Sequence, residues 1–273
     1  MASTNFLLLT YDSCRYDVLR EAHTPVLDAF CEIHAAQTPA NFTYGAHLAF
    51  FAGILPNVSD DIPFYNRFTR QLFGLVEVGE TRVVDSALIG LVSEWNLVFA
   101  LRDKGYRAVG AGAMNWFRQQ TLRQGFDAFR YTGTAANRQI DYLLEETASS
   151  QPFFGFINFG ETHAPFDYEG KEDACPVDVR ARVMTWPPHQ EGPVGRECEA
   201  YDHQMRAAEF LDGRLARLFS GLPANTLVVL CADHGECFGE DGYWGHAVNH
   251  PKVFEVPLCI FRLDGAPVGE SGL

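Results

Sequence analysis

The sequence predicts an α/β fold, a mainly parallel central sheet with helices on both faces. Two observations carry this. The runs NFLLLTY (5–11), FFGFINF (153–159) and TLVVLCA (226–232) are almost unbroken apolar stretches, as expected of strands buried on both faces. Between such runs lie segments with helical periodicity, so strands and helices alternate along the chain. The 273 residues, 47% hydrophobic and 21% charged, have ordinary globular composition and suffice for one large α/β domain or two small ones.

The elements follow in order. Residues 5–11 form the first strand. Residues 24–34 (TPVLDAFCEIH) read as a helix with Pro25 near its start. Residues 44–53 read as an apolar helix stopped by Gly53 and Pro56. A helix over 93–104 precedes a strand over 107–112, and a helix over 135–147 precedes the strand 153–159. A long amphipathic helix is expected over 201–219, then the strand 226–232 and a last strand over 256–261. Two stretches break the rhythm. Residues 63–92 resist assignment. Residues 167–199 hold four prolines, Cys175 and Cys198 with little periodicity. That second stretch reads equally as a lid over a site or as a packed surface excursion.

Composition excludes some classes. The seven cysteines are an odd, scattered set without a CxxC pair, which disfavours a disulfide framework or a zinc knuckle and suits a reducing cytoplasm. The net charge of -14 disfavours nucleic acid as partner. No apolar run has the length of a membrane span, and the N-terminus lacks the charged region of a signal peptide, so neither a membrane partner nor export is expected.

Three distant pieces of sequence place acids or histidines just past strand ends. Asp12 follows the first strand, His163 follows FFGFINF, and Asp233 with His234 follow TLVVLCA. Ligands of open α/β sheets bind outside the carboxyl ends of the strands, so these pieces converge on one edge. Carboxylate and imidazole are ligands for hard or borderline divalent metals, and a metal there would acidify a hydroxyl and polarise a phosphoryl or sulfuryl oxygen. Each piece alone has a plainer reading: Asp12 as a helix cap, the His-Gly pair as a turn. The four-residue DHGE with His246 twelve positions beyond His234 is harder to dismiss. The segment TPANFTYGAH (38–47) opens a helix. Thr43 there is either a cap or a nucleophile beside free backbone N–H groups that can hold an anion.

Five segments, in order, resemble the alkaline phosphatase superfamily on its sulfatase and phosphoethanolamine/phosphoglycerol transferase side. LLLTYDSCRYDVL resembles the family's first strand plus D-S/T-x-R-x-D, and TPVLDAF its TPNLDxL helix. NFTYGAHLAFFAGILP resembles the nucleophile segment, which ends in a glycine ten residues after the nucleophile; counting back from Gly53 gives Thr43. ETHAPF resembles the H-x-P segment, and NTLVVLCADHGECFGEDGYWGH the segment around D-H-G-E. The resemblance runs from residue 5 to about residue 261, so 1–273 is read as a single domain with an alkaline-phosphatase-like sandwich.

The resemblance implies Asp12, Thr43, Asp233 and His234 as metal ligands, with Thr43 as covalent nucleophile. It implies His163 and His246 as histidines that bind substrate oxygens, assist the leaving group or complete a second metal site. Asn41, Tyr44, His47 and Arg15 lie in the matched segments and are candidate substrate contacts. His47 reads equally as a histidine packed beside the site. Glu161 or Glu240 would serve a second ion or be solvated loop acids. Two carboxylates, an imidazole and a hydroxyl suit zinc or manganese better than calcium. Sulfatases oxidise Cys or Ser to formylglycine, which Thr43 cannot become, and their P-S-R is Gly45-Ala46-His47 here. These departures favour phosphoryl transfer over sulfate hydrolysis. The short length implies a reduced or absent C-terminal subdomain, and no membrane anchor is expected.

The expected function is a cytoplasmic metal-dependent hydrolase or transferase of small phosphoesters or phosphonate esters through a phospho-threonine intermediate. A sulfatase-like hydrolase of sulfate or other esters without formylglycine is the alternative. A non-catalytic binding protein that kept the fold is the reading from another class, and loss of Thr43, Asp12, Asp233 or His234 would have favoured it.

Overall fold

The computed structural model describes residues 3–53, 76–78, 89–91, 96–148, 152–182 and 192–265. The apolar run at the N-terminus forms β1 (Asn5–Tyr11). Short helices α1 (Tyr16–Glu21) and α2 (Pro25–Asp28) lead to strand β2 (His34–Gln37) and helix α3 (Thr43–Ala52). A two-stranded antiparallel ribbon pairs β3 (Val76–Val78) with β4 (Ile89–Leu91). Helix α4 (Leu97–Asp103), strands β5 (Arg107–Gly112) and β6 (Ala128–Tyr131), helix α5 (Ala136–Thr147) and strand β7 (Phe153–Phe159) follow. Then come α6 (Val179–Arg182), the long α7 (Glu199–Gly221), β8 (Thr226–Ala232), β9 (Cys237–Phe238), β10 (Trp244–Gly245), α8 (Pro251–Phe254) and β11 (Glu255–Arg262).

Seven strands form one sheet in the order β2-β11-β8-β1-β7-β5-β6. The pairs from β8 through β1, β7 and β5 to β6 are parallel, and β11 runs antiparallel to both β8 and β2. The central sheet is thus mostly parallel, as expected. Alternation along β7 shows why its run is apolar throughout. Phe153, Ile157 and Phe159 join one cluster with Leu143 of α5 and Leu211, Leu215 and Leu218 of α7. Phe154 and Phe156 join another with Leu48 and Phe51 of α3 and Val98 of α4. Each strand residue points to one of two helix layers, and each fully buried phenylalanine contributes about 2–3 kcal/mol.

Strands 5–11, 107–112, 153–159 and 226–232 match the expected bounds. The helix expected at 93–104 is observed as α4; Asn96 caps it by accepting from the Val98 N–H at 2.8 Å, and residues 93–95 lie outside the described residues. The expectation of one helix over 24–34 is corrected. Only Pro25–Asp28 is helical, and the chain then extends into β2. The apolar spacing there has another cause: Phe30, in the turn that closes α2, stacks on Phe261 and meets Phe219 edge-on, anchoring that turn to the core. Of 63–92, only the two ribbon strands are among the described residues. Of 167–199, residues 183–191 lie outside them. Within the rest, Val179 and Cys198 are buried with Phe166, Phe238 and Trp244. No helix among the described residues is long and apolar enough to cross a membrane.

One buried charge network ties the loops after β1 and β8 together. The Arg15 guanidinium is 1% exposed. It donates to Asp17 at 2.8 and 2.7 Å, to Glu240 at 2.6 Å and to the Glu236 carbonyl at 3.3 Å. It also lies over the rings of Phe238 and Tyr201. Lys252 reaches the same Asp17 at 2.7 Å. Burial raises the Asp17 carboxyl, but Arg15 and Lys252 outweigh it and hold the group far below the ordinary carboxylate range. A depressed carboxyl stabilises the fold above the ordinary carboxylate pKa, and that contribution disappears as pH falls towards the folded value. Asp17→Asn is therefore expected to lower stability at neutral pH by about 3 kcal/mol, because Arg15 stays buried with one partner gone. Denaturant melts at neutral pH and near pH 3 should show this penalty shrinking in acid.

Candidate active site

The site is assembled at the carboxyl ends of β1, β7 and β8. Asp12 is the first residue beyond β1, and its N–H donates to the Phe159 carbonyl at the end of β7 at 2.9 Å. Asp233 and His234 are the first residues beyond β8, whose register with β1 pairs Tyr11 with Ala232. All three side chains are fully buried. One ligand atom from each of Asp12, Asp233 and His234 lies within 4.8 Å of the others.

Thr43 is the fourth member. The apolar Phe42 occupies the N-cap position of α3 and gives no side-chain cap bond, so Thr43 is the first helical residue. Its Oγ1 stands 3.4 Å from Asp12 Oδ2 and 3.3 Å from His234 Nε2. The first N–H groups of α3 have no partner within the helix, which makes this end a place for anionic oxygens.

The surrounding bonds set the chemistry. Asp233 Oδ1 accepts the N–H groups of Ser13 at 3.1 Å and His234 at 2.9 Å, while its Oδ2 is buried without a hydrogen-bond partner. Burial and the neighbouring Asp12 push the Asp233 carboxyl well up. Burial opposes ionisation of Asp12 too, but His163 and His234 pull it below its ordinary value. Two buried carboxylates side by side call for a proton or a cation between them. His234 Nδ1 lies 2.9 Å from the Gly235 carbonyl, which only accepts, so the neutral ring presents its Nε2 lone pair towards Thr43. Burial and His246 push its pKa down to about 3, which keeps it neutral. An orphaned carboxylate oxygen, a second carboxylate, an oriented imidazole lone pair and a hydroxyl form a donor set that fits a divalent cation.

His163 and His246 line up beside this cluster. The His246 ring is 4.4 Å from that of His234 and 5.4 Å from that of His163. Its Nδ1 is 2.9 Å from the buried Glu236 Oε1; burial disfavours its charge, but this bond and the Glu236 charge raise its pKa. Asn41 donates no side-chain bond among those described, and its carbonyl accepts the Ala247 N–H at 2.8 Å. Tyr44 packs against Trp116 at 5.3 Å. His47 has both ring nitrogens engaged, with Thr10 Oγ1 at 3.0 Å and the Thr43 carbonyl at 2.8 Å, and sits edge-on to Phe117 and Phe156. It supports the start of α3 from inside the core. No hydrogen bond or ion pair joins the Arg15 side chain to the four-residue cluster among the described residues. Glu161 accepts the Ala136 N–H at 2.8 Å at the start of α5, and burial pushes its pKa up to about 7. Glu240 is divided between Arg15 and the Phe238 N–H at 2.6 Å.

Sequence reasoning missed several supports. Asn158 donates to Asp12 Oδ2 and to Thr10 Oγ1, both at 3.2 Å. Thr162 donates to the Asp12 carbonyl at 2.8 Å, and the Thr38 hydroxyl donates to the Asp233 carbonyl. The lone polar Asn158 inside FFGFINF was the available signal, since a buried amide in a two-sided strand needs a partner.

With this geometry in view, comparison with known proteins places the chain. The family model described as Sulfatase matches residues 91–267, more than half of the chain, and the chain belongs to that family. A curated relative, the uncharacterized sulfatase YidJ of Escherichia coli, is 23% identical over 163 residues. The match covers 49% of this chain and 31% of YidJ, so it spans about a third of that relative's length. Among solved structures, the C-terminal periplasmic domain of Escherichia coli EptC, in complex with Zn, aligns with a TM-score of 0.62 at 14% identity over 96% of this chain and 73% of that one. The phosphonate monoester hydrolase of Agrobacterium radiobacter aligns with a TM-score of 0.58 at 17% identity over 94% and 68%. At such identities the likeness establishes the alkaline-phosphatase-like fold.

Gly235 offers a test of the geometry. A Cβ there would lie 2.1 Å from the Lys252 carbonyl oxygen, a backbone atom with little room to yield. Gly235→Ala should destabilise the protein by about 2–3 kcal/mol, read as a lowered midpoint in urea.

Proposed function

We propose that the chain is a metal-dependent hydrolase or transferase of phosphate or phosphonate esters in which Thr43 is the nucleophile. The single observation behind this reading is Thr43 Oγ1 within 3.4 Å of both Asp12 and His234, beside the orphaned Asp233 Oδ2. Asp12, Asp233, His234 and the Thr43 hydroxyl would hold the ion, zinc or manganese. When bound, the ion would neutralise charge on the transferring group and acidify the Thr43 hydroxyl. Zinc has added support from the EptC complex at the level of the shared fold.

The chain's own residues account for the rest. With its hydroxyl proton released to solvent as the ion binds, Thr43 Oγ1 would form a bond to phosphorus as the ester P–O bond breaks. The departing oxygen takes a proton from His163 or His246, the two rings beside the cluster. The free N–H groups at the start of α3 hold the phosphoryl oxygens. Water, or a second alcohol in a transferase, then gives a proton back to that histidine, attacks phosphorus and releases the Thr43 oxygen. Buried Asn158 and Thr162 keep Asp12 in place throughout. The sulfatase family match favours one further reading, hydrolysis of sulfate or other esters without formylglycine. We propose a reducing cytoplasm as its setting, a reading that comes from the odd, scattered set of cysteines in the sequence.

Turnover of p-nitrophenyl phosphate, bis(p-nitrophenyl) phosphate, p-nitrophenyl phenylphosphonate and p-nitrophenyl sulfate by zinc- or manganese-loaded protein is the direct test. The phosphorus esters should be cleaved at least about 100-fold faster than the sulfate; the reverse preference would select the sulfatase reading. Thr43→Ala should lose at least about 10³-fold in kcat, and full activity in that variant would refute the nucleophile assignment. Chelation followed by return of zinc should abolish and restore both activity and a phosphoryl adduct on the Thr43 peptide in mass spectra.

A further inference from the structure

A cleft of about 360 Å³ opens beside His163 at the carboxyl ends of β5, β6 and β7. Its walls include Asn115, Tyr131, Thr134, His163, Asp167 and Arg180. That volume suits a compact ligand. His163 belongs to both this cleft and the histidine file that reaches His234, so the cleft leads directly off the reacting centre.

Arg180, the Asn115 amide and the Thr134 hydroxyl offer donors to this cleft. Arg180 is exposed and makes no hydrogen bond or ion pair with any described residue. Its helix is nonetheless held: Val179 on one side is buried, and Arg182 on the other lies over the Trp244 ring at 4.5 Å. Asn115 Oδ1 already accepts from the Tyr131 hydroxyl at 3.0 Å, which leaves its amide N–H groups to give. The Thr134 hydroxyl can donate as well. A second guanidinium, Arg118, sits 4.4 Å from the centre of the Tyr131 ring and adds positive potential. Asp167 is the one opposing carboxylate, and it forms no ion pair with Arg180.

We infer that this cleft is the leaving-group subsite and that it selects an alcohol bearing an anionic oxygen group, such as a carboxylate, which Arg180 binds. The inference rests on the ester-cleaving reading for its place in the reaction. His163 stands at the ester oxygen end and Arg180 is the specificity-determining residue at the other. The overall charge of -14 would repel an anionic substrate, so a guanidinium held free beside the centre has a use there.

The test pairs a binding arm with a turnover arm. Calorimetric titration of 3-hydroxybenzoate and of phenol into wild type, Arg180→Gln and Arg180→Lys reads the cleft without chemistry. Wild type should bind 3-hydroxybenzoate about tenfold tighter than phenol, the worth of one charge-assisted bond. Arg180→Gln should bring that ratio to about one, and Arg180→Lys should keep most of it. The same ratios should appear in kcat/KM for 3-carboxyphenyl phosphate against phenyl phosphate. A ratio unchanged in Arg180→Gln, or absent in wild type, overturns the subsite even if both esters are cleaved. Carboxylate-selective binding that depends on Arg180, with neither ester cleaved, upholds the anion-binding cleft and sinks the ester-cleaving reading.

Discussion

Two carboxylates buried side by side, Asp12 and Asp233, are the constraint on which the site depends. Neither is exposed, and one oxygen of Asp233 has no hydrogen-bond partner. Leaving both charged and unneutralised in the interior would be costly, so the arrangement makes sense only around a cation or a shared proton. The parallel pairing of β1 with β8 forces the proximity, because register places the residues after both strands at one level. The imidazole lone pair of His234 and the Thr43 hydroxyl then complete a donor set suited to a divalent ion.

Around that centre the fold spends its buried polar groups on position. Asn158, Thr162, the Ser13 N–H and the Thr38 hydroxyl each hold one of the two acids. His47 links the start of α3 to β1 through Thr43 and Thr10. Farther out, Arg15, Asp17, Glu240 and Lys252 fasten the loop after β1 to the loop carrying Glu236 and to α8. The residues of the four-membered cluster therefore sit on rigid supports, as the proposed chemistry would require.

Much of this was legible in the sequence, for physical reasons. Strands β1, β7 and β8 are buried on both faces, so they read as apolar runs and their ends located Asp12, His163 and Asp233. Thr43 was singled out only by the family resemblance of its segment, counted back from Gly53; its position at a helix start by itself reads as a cap. Residues 24–34 misled because Phe30, in the turn after α2, packs on the core at a helix-like apolar interval before the chain extends into β2. The partners of Arg15, Glu161 and Glu240 were illegible because each contact is made across the fold, as with Arg15 and Glu240 or Glu161 and Ala136. Long-range register decides such contacts, and periodicity carries no record of it.

The position at which an ion binds tests the site most directly. Crystals grown with zinc, measured on both sides of the zinc absorption edge, would show it as an anomalous peak. The peak is expected at Asp12, Asp233, His234 and the Thr43 hydroxyl, with zinc to ligand distances of about 2.0–2.2 Å. A zinc-loaded crystal with no peak there, or with the ion held only by His163 and His246, would contradict it.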